Sequence, residues 1–378
     1  MNKTTSQLQS KISTGQPDLQ FAMFAVILAL FGLIMLLSCS SYESEKLTGS
    51  PHTFFLNQAG SLIISLMVMS IVSILSLRAW QKLAWIGIFF SIICLALVNF
   101  SSFGLQAGGS ERWLRFGFLS FQPSEITKIA VLILMADGLS RYHWFSRPVL
   151  IRLLVCLIAA GLVLIQPDLG TSVLILAGMV FLLFAAGMNW LIVGATGVLG
   201  LLSLNFIIKH NPYQLQRFNG WLHPERDPLN TGYNLLQSYY AIGSGGIFGT
   251  GYGGSLQKLG YLPVSYADFI FAVICEELGV IGAVGVIGAF MYLLWRGFQI
   301  SLSNPTLFGR LLGIGIVFSL TLQVVFNLAG STGMLPVTGM PLPLISYGKT
   351  SLIVVGFMLG ILLSLSRHRI TPTNSTAL

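Results

Sequence analysis

Tyr266-Ala267-Asp268-Phe269-Ile270-Phe271-Ala272-Val273-Ile274-Cys275-Glu276-Glu277-Leu278-Gly279 opens a run that stays apolar to Trp295. It carries three of the chain's 12 acidic residues where hydrocarbon is expected. A charge at membrane depth costs about 3 kcal/mol on insertion scales, so such a carboxylate faces protein or water and marks a functional site by default. The competing reading is a structural carboxylate paired with a cation from another helix. Asp268, at the edge of the run, is open to both.

The chain around this stretch has the composition of a membrane protein. Of 378 residues, 54% are hydrophobic and 8% charged, against about 25% charged in a soluble domain. Mean hydropathy is +0.81. A soluble enzyme with a single anchor is excluded. Apolar spans of the length a hydrocarbon core requires are expected at residues 19–39, 54–77, 83–100, 124–139, 149–165, 171–188, 190–208, 268–296, 311–328 and 351–366. Backbone polar groups must be satisfied internally in lipid, so the fold class is an all-α polytopic membrane protein of about ten helices. Its organisation is a tail at 1–18, one membrane domain at 19–366 with a large loop at 209–267, and a second tail at 367–378. The first span lacks an A-x-A-like cleavage pattern and is expected to be retained as a signal anchor. Cys39, Cys94, Cys156 and Cys275 fall within or at the ends of spans, with spacing that suits neither zinc nor a disulfide framework.

Basic residues set the orientation. With both termini inside, the cytoplasmic face receives Lys3, Lys11, Arg78, Lys82, Arg141, Arg147, Arg152, Arg296, Arg310, Arg367 and Arg369, which is 11 of the 20 Lys and Arg, against only Asp18 and Asp137 among the acids. The net +8 therefore reports membrane orientation, and nucleic-acid binding is not implied. The cytoplasmic loops are short and plain. Nearly all residues with chemical potential fall on outer loops: 101–123, the turn at Pro167-Asp168, 209–267 and 327–350. The third is far longer than an ordinary connection, which usually means function or disorder. Its Tyr213, Phe218, Trp221, Tyr233, Tyr239 and Tyr240 argue against disorder, and residues 235–242 fit an amphipathic helix at the headgroup level.

Four outer clusters stand out. In the first, Glu111-Arg112-Trp113-Leu114-Arg115 precedes Phe121-Gln122-Pro123-Ser124-Glu125-Ile126-Thr127-Lys128. Pro123 suits the first helical position, and Glu125 then sits near the positive end of the helix dipole. Glu125 and Lys128 share a helix face at i,i+3, either as a self-neutralising pair or as a cation held for an anionic headgroup. The second, Gln166-Pro167-Asp168-Leu169-Gly170, is explained by turn chemistry alone, although Asp168 faces the same compartment as Asp268. The third runs from Gly243 to Ser255, then Gln257-Lys258-Leu259-Gly260-Tyr261-Leu262-Pro263; its glycines permit close backbone approach to a ligand or merely a bend. The fourth runs from Gly333 to Ser351 and includes Gly348-Lys349-Thr350, which mimics the end of a phosphate-binding P-loop. Pro343 stands where that motif needs glycine and no strand precedes it, so a nucleotide triphosphatase is rejected.

In order and spacing these clusters resemble the SEDS family of cell-shape, elongation, division and sporulation proteins, which includes FtsW, RodA and SpoVE. The matching pieces are Arg112-Trp113 with Gln122-Pro123-Ser124-Glu125 and Lys128; Gln166 to Thr171; Gly232-Tyr233 with Gln237-Ser238 and Ala241 to Gly246; Asp268-Phe269-Ile270-Phe271 with Glu276-Glu277-Leu278-Gly279; and Leu335-Pro336 to Ser346-Tyr347-Gly348. The resemblance covers about residues 20–370. It implies a ten-span fold and peptidoglycan glycosyltransferase activity on lipid II beside a class B penicillin-binding protein and other division or elongation proteins. It also implies that the family's essential aspartate is Asp268. Where the family usually has a second glycine, this chain has Lys349. The segment Gly251 to Pro263 is similar to FtsW-type division proteins, and Gln166 to Ser172 with Pro336 to Pro343 to RodA-type elongation proteins, with the balance towards the FtsW type.

That chemistry needs one base for the acceptor hydroxyl and charge stabilisation for a departing diphosphate. Asp268 is assigned the base, and Arg112, Trp113, Gln122, Ser124, Glu125, Lys128, Asp168, Gln237, Ser238, Lys258 and Ser346 are assigned to substrate binding. On a continuous helix Glu276 would lie about 12 Å along the axis from Asp268, and Glu277 on the opposite face, so both are assigned structural or tuning roles, paired with Lys128. No tightly bound cofactor is expected; a divalent cation such as Mg²⁺ or Mn²⁺ is compatible with the diphosphate. Two other classes stay open: a lipid II flippase, which should need polar groups on both faces and through the core, and a silent scaffold for a partner synthase.

Overall fold

The computed structural model describes residues 15–100, 104–107, 110–116 and 119–367. Lys3, Lys11 and Arg369, which carry part of the orientation argument, and the side chain of Glu111 lie outside the described residues. The elements in chain order are α1 (Leu19–Thr48), α2 (Thr53–Ile74), α3 (Leu77–Phe100), a small sheet, α4 (Pro123–Arg141), α5 (Arg147–Ile165), α6 (Leu169–Ala185), α7 (Trp190–His210), α8 (Pro212–Leu222), α9 (Tyr233–Ser244), α10 (Ile270–Leu302), α11 (Leu307–Ser331) and α12 (Lys349–Ser366). Ten of these fall on the ten expected spans, and the chain is a multi-pass membrane protein. Among the described residues, 8 helices are long and apolar enough to cross a membrane. Of the other two, α6 has 17 residues and α4 carries Glu125, Lys128, Asp137 and Arg141.

Local chemistry fixes the helix ends. Asp18 caps α1 by accepting from the Phe21 amide, and Gly49 closes it in the left-handed region at φ 74°. Pro123 occupies the first turn of α4, with Glu125 beside it. Asp168 caps α6 by accepting from the Thr171 amide. The expected helix at 235–242 is α9, with Leu235, Ser238 and Ala241 turned inward. Residues 104–107, 110–116 and 119–121 differ from the expected outer loop. They form a three-stranded antiparallel sheet, β1 (Gly104–Ala107), β2 (Ser110–Phe116) and β3 (Leu119–Phe121), with β2 central. Leu114 is buried against Cys94 and Val98 of α3, which gives the sheet its anchor.

The helices differ sharply in how they pack. Along α4 and α12 nearly every residue is buried, whereas α7 has none and stands at the periphery. Helices α2 and α12 meet through small residues: Ser65 Oγ donates to the Leu352 carbonyl at 2.7 Å, and a Cβ on Gly356 would lie 2.1 Å from Ser65 Oγ. Close backbone approach is how membrane helices gain dispersion energy when lipid is as apolar as leucine.

Helix α10 is broken at Gly279, where φ is 66°. A break frees backbone groups that lipid cannot satisfy. The glycine-rich segment after α9 satisfies them: the amides of Thr250 and Gly251 donate to the carbonyls of Glu276 and Glu277, and those of Val280 and Ile281 to the carbonyls of Gly246 and Ile247. A Cβ on Gly249 would lie 2.1 Å from the Glu277 carbonyl oxygen. These glycines allow close approach between two chain segments. Tyr252 reaches further, donating to the Ile34 carbonyl in the middle of α1 at 2.9 Å.

Candidate active site

Asp268 does not begin a helix, as the span at 268–296 implied. It lies in a turn, because α10 starts at Ile270. Its amide donates to the Val264 carbonyl at 3.2 Å. Its carbonyl accepts from Asn327 Nδ2 at 3.1 Å and Ser331 Oγ at 3.3 Å, both on α11. The preceding carbonyl, of Ala267, accepts from Ser346 Oγ at 2.6 Å, while Ser346 Oγ accepts from the Leu342 amide. The backbone on both sides of Asp268 is therefore pinned between α11 and the loop that leads into α12.

The carboxylate itself is left free. Among the described residues it has no hydrogen bond or ion pair, and it is half-buried. Burial pushes its pKa above the ordinary carboxylate value, while the charges of Arg217 and then Arg112 pull it back down. Beside it, Gly339 takes φ 72°, and a Cβ there would sit 3.8 Å from Asp268 Oδ2.

Both arginines line a recess of about 190 Å³ with Leu169 and Val173 of α6, Leu204 and Ile208 of α7, and Phe326 of α11. Arg112 is engaged by the turn between α5 and α6: Nη2 donates to the Pro167 carbonyl at 2.6 Å and Nε to that of Gln166 at 3.3 Å, with Asp168 at 3.9 Å. Asp168 also accepts from Gln122 Nε2 and Ser124 Oγ, so it ties β2, α4 and α6 together. Arg217, on α8, lies over the Tyr213 ring at 5.6 Å and has no hydrogen bond or ion pair among the described residues. The sequence reading passed over it. Its signal was Asn211-Pro212, a helix start: Asn211 accepts from the amides of Tyr213 and Gln214, and Pro212 takes the first position.

The other two cations expected at the site, Lys128 and Lys258, are already matched. Lys128 is buried, 2.8 Å from Glu125 Oε2, and donates to Gln323 Oε1 at 3.1 Å. The self-neutralising reading of that pair is the one found, and the expected pairing of Lys128 with Glu276 or Glu277 is wrong. Glu277 instead accepts from Lys258 Nζ at 2.7 Å and Ser38 Oγ at 2.6 Å. Glu276 accepts from Ser255 Oγ and the Leu256 amide. Of the other expected contacts, Trp113 is half-buried in β2, Gln237 is half-buried on α9, and Ser238 Oγ donates to the Ser331 carbonyl at 2.6 Å. Lys349 is half-buried in the first turn of α12, with no ion pair or hydrogen bond among the described residues.

Among the described residues, this bundle of membrane helices presents an unpaired, half-buried carboxylate within electrostatic reach of two guanidinium groups. The chain belongs to the FtsW/RodA/SpoVE family, whose model, described as cell cycle protein, matches residues 18–371. It is 35% identical over 363 residues to the probable peptidoglycan glycosyltransferase FtsW of Trichlorobacter lovleyi, covering 95% of each chain. It is also 35% identical over 359 residues to stage V sporulation protein E of Bacillus subtilis, covering 93% of this chain and 97% of that one. Among solved structures it is similar to a chain of a peptidoglycan synthase complex that coordinates polymerization and crosslinking. The TM-score is 0.77 and the identity 31%, over 93% of this chain and 98% of that one.

Proposed function

We propose that the chain is a peptidoglycan glycosyltransferase that polymerises lipid II into glycan strands at the outer face of the cytoplasmic membrane. The observation that carries this reading is the Asp268 carboxylate, held by its backbone and left without a partner. A general base must reach its proton unencumbered and needs a pKa nearer the working pH than an ordinary carboxylate has. The acceptor hydroxyl attacks the anomeric carbon, a new C–O bond forms, and Asp268 takes the hydroxyl proton. The bond from the anomeric carbon to the diphosphate oxygen breaks, and undecaprenyl diphosphate leaves with the electron pair. Arg217 and Arg112 face that charge, and the apolar recess beside α7 accommodates the first part of the lipid chain.

The binding set retains Arg112, Trp113, Gln122, Ser124, Asp168 and Gln237 and gains Arg217. Ser238 and Ser346 act through the backbone carbonyls they hold, Glu125 and Lys128 through Gln323, and Lys258 serves α10. Among the described residues no three His, Cys, Asp or Glu side chains converge on a metal site. A divalent cation would be held chiefly by the diphosphate, with one protein carboxylate, as Mg²⁺ commonly is. Helices α4 and α6 complete a ten-span bundle with both termini cytoplasmic, which follows the charge asymmetry. The partner is a class B penicillin-binding protein, a reading supported by the synthase complex among the structural neighbours. The relatives named FtsW and stage V sporulation protein E are equally identical to this chain, so the FtsW-type motifs carry the choice of division.

The test incubates the purified protein, alone and with its partner, with lipid II in detergent. Glycan strands that vanish in Asp268→Asn support the reading. Movement of lipid II across proteoliposomes that survives Asp268→Ala, with no polymer under any partner condition, overturns it in favour of a flippase.

A further inference from the structure

Gln323, Asn327 and Ser331 are buried on α11 at a spacing of four residues, which places them on one face of an otherwise apolar helix. All three direct their donors at the two loops that frame Asp268. Gln323 Nε2 donates to the Pro341 carbonyl at 3.0 Å, and its oxygen accepts from Lys128. Asn327 Nδ2 donates to the Met340 carbonyl at 2.9 Å and the Asp268 carbonyl at 3.1 Å. Ser331 Oγ bridges the carbonyls of Asn327 and Asp268. The Asn327 amide can point only one way, since a flip would set its oxygen against two carbonyls. That oxygen has no donor among the described residues. A buried acceptor left without a protein donor is costly, and the Asn327 donor is spent on the two carbonyls that flank the site.

We propose that Asn327 is a positioning residue of the polymerisation reaction: one amide nitrogen holds both the Asp268 and the Met340 carbonyls and so sets the distance between the base and the loop facing it. The inference rests on Asp268 as the general base. Lys128 then works from the far end of the same stripe, through Gln323 and the Pro341 carbonyl. Ser238 supports the near end through the Ser331 carbonyl.

The experiment compares Asn327→Ala, Asn327→Gln and Ser331→Ala with wild type, each as the full chain with its partner synthase. It reads kcat on lipid II, lipid II Kd, the thermal unfolding temperature and the pH–rate profile. A reacting group displaced by about 1 Å can lose on the order of 100-fold in rate. Asn327→Ala is expected to lose kcat on that scale with Kd unchanged and the acid limb of the profile displaced. Asn327→Gln, which keeps both N–H donors, recovers part of the rate, and Ser331→Ala loses less than Asn327→Ala. Wild-type kcat in Asn327→Ala, or a kcat loss matched by an equal loss of lipid II binding, overturns the proposal. If Asn327→Ala does not fold, unchanged kcat and an unchanged acid limb in both other variants overturn it instead. Asp268→Asn runs in parallel: activity there defeats the base assignment, whereas a dead Asp268→Asn beside a fully active Asn327→Ala defeats only this inference.

Discussion

Asp268 and the pair Glu276–Glu277 share one stretch of chain, and the fold treats them in opposite ways. Glu277 is buried against Lys258 and Ser38, and Glu276 against Ser255 and the Leu256 amide. Together they fasten the glycine-rich segment to α10 where that helix breaks. Asp268 is desolvated too, yet its nearest cations stand off and its hydrogen bonds are all made by its backbone. An unmatched carboxylate keeps its lone pairs for a proton. What separates a structural acid from a working one here is the partner: the two glutamates have one and, among the described residues, the Asp268 carboxylate has none.

The comparison breaks most simply at Asp268. Asp268→Asn keeps the shape and removes the base, and loss of general-base catalysis typically costs about 100- to 10,000-fold in rate. We expect polymerisation to fall by at least that much with expression and membrane insertion intact, read by product analysis on purified protein. Near-normal synthesis would show that the free carboxylate is not the base.

At the other end of the stretch the same logic predicts a loss of stability. Lys258→Ala strands Glu277 without its cation, and removing one member of a buried pair costs about 3–5 kcal/mol. Thermal unfolding in detergent should show this as a marked drop. Replacing both partners at once, as Lys258→Met with Glu277→Leu, should restore much of the stability, because well-packed apolar pairs often match a buried ion pair. A Lys258→Ala protein as stable as wild type, but unable to bind lipid II, would return Lys258 to the substrate.

A smaller effect is expected from the two arginines. Arg217 has no partner to leave stranded, so Arg217→Ala should weaken lipid II binding with little change in unfolding temperature. A charge-assisted bond is worth about 1.5–3 kcal/mol, or roughly 10- to 150-fold in affinity. Arg112→Ala should lose both binding and stability, since Arg112 also holds the Gln166 and Pro167 carbonyls. Equal stability losses in the two variants would mean that Arg217 is structural as well.

The sequence made some of this legible and hid the rest for physical reasons. Apolar runs of membrane length are hard to mistake, so a helix lies on each of the ten expected spans, with ends within a few residues apart from the longer C-terminal part of α1, the earlier start of α3 and the later end of α10. The weight on Asp268 was legible from a charge in an apolar run. Its freedom from partners was not, because pairing depends on Lys258, Ser38 and Ser255, which lie far along the chain or on another helix. Spacing alone could pair Glu125 with Lys128, as neighbours on one helix face. Arg217 was hidden because an arginine in an aromatic loop resembles a solvated charge until α8 folds it over the recess. Asn327 was hidden because its partners are carbonyls, which leave no trace in side-chain patterns. The sheet β1–β3 was missed because its strands are short and, among the described residues, its buried anchor is Leu114 with Phe121 packed beside it.

The smallest effect expected is a shift in pH dependence, and its sign follows from the surroundings of Asp268. Burial raises its carboxyl, and Arg217 and then Arg112 lower it without cancelling the rise. The base must be ionised to work, so the acid limb of the polymerisation rate should lie above the ordinary aspartate value of about 3.9. Neutralising Arg217 removes a charge that favours the ionised form, so the limb should move further up. Stability runs the other way from the usual salt-bridged aspartate. The folded protein holds this proton more firmly than the unfolded chain. The contribution of Asp268 is therefore fully present below the ordinary value and is lost as pH rises through the raised one. Asp268→Asn removes that dependence, so its advantage in unfolding temperature over wild type should be absent at low pH and grow across that window. A limb that stays put in Arg217→Ala, or moves down, would place Arg217 out of reach of the base, and an advantage of Asp268→Asn that shrinks as pH rises would show the carboxylate to be partnered after all.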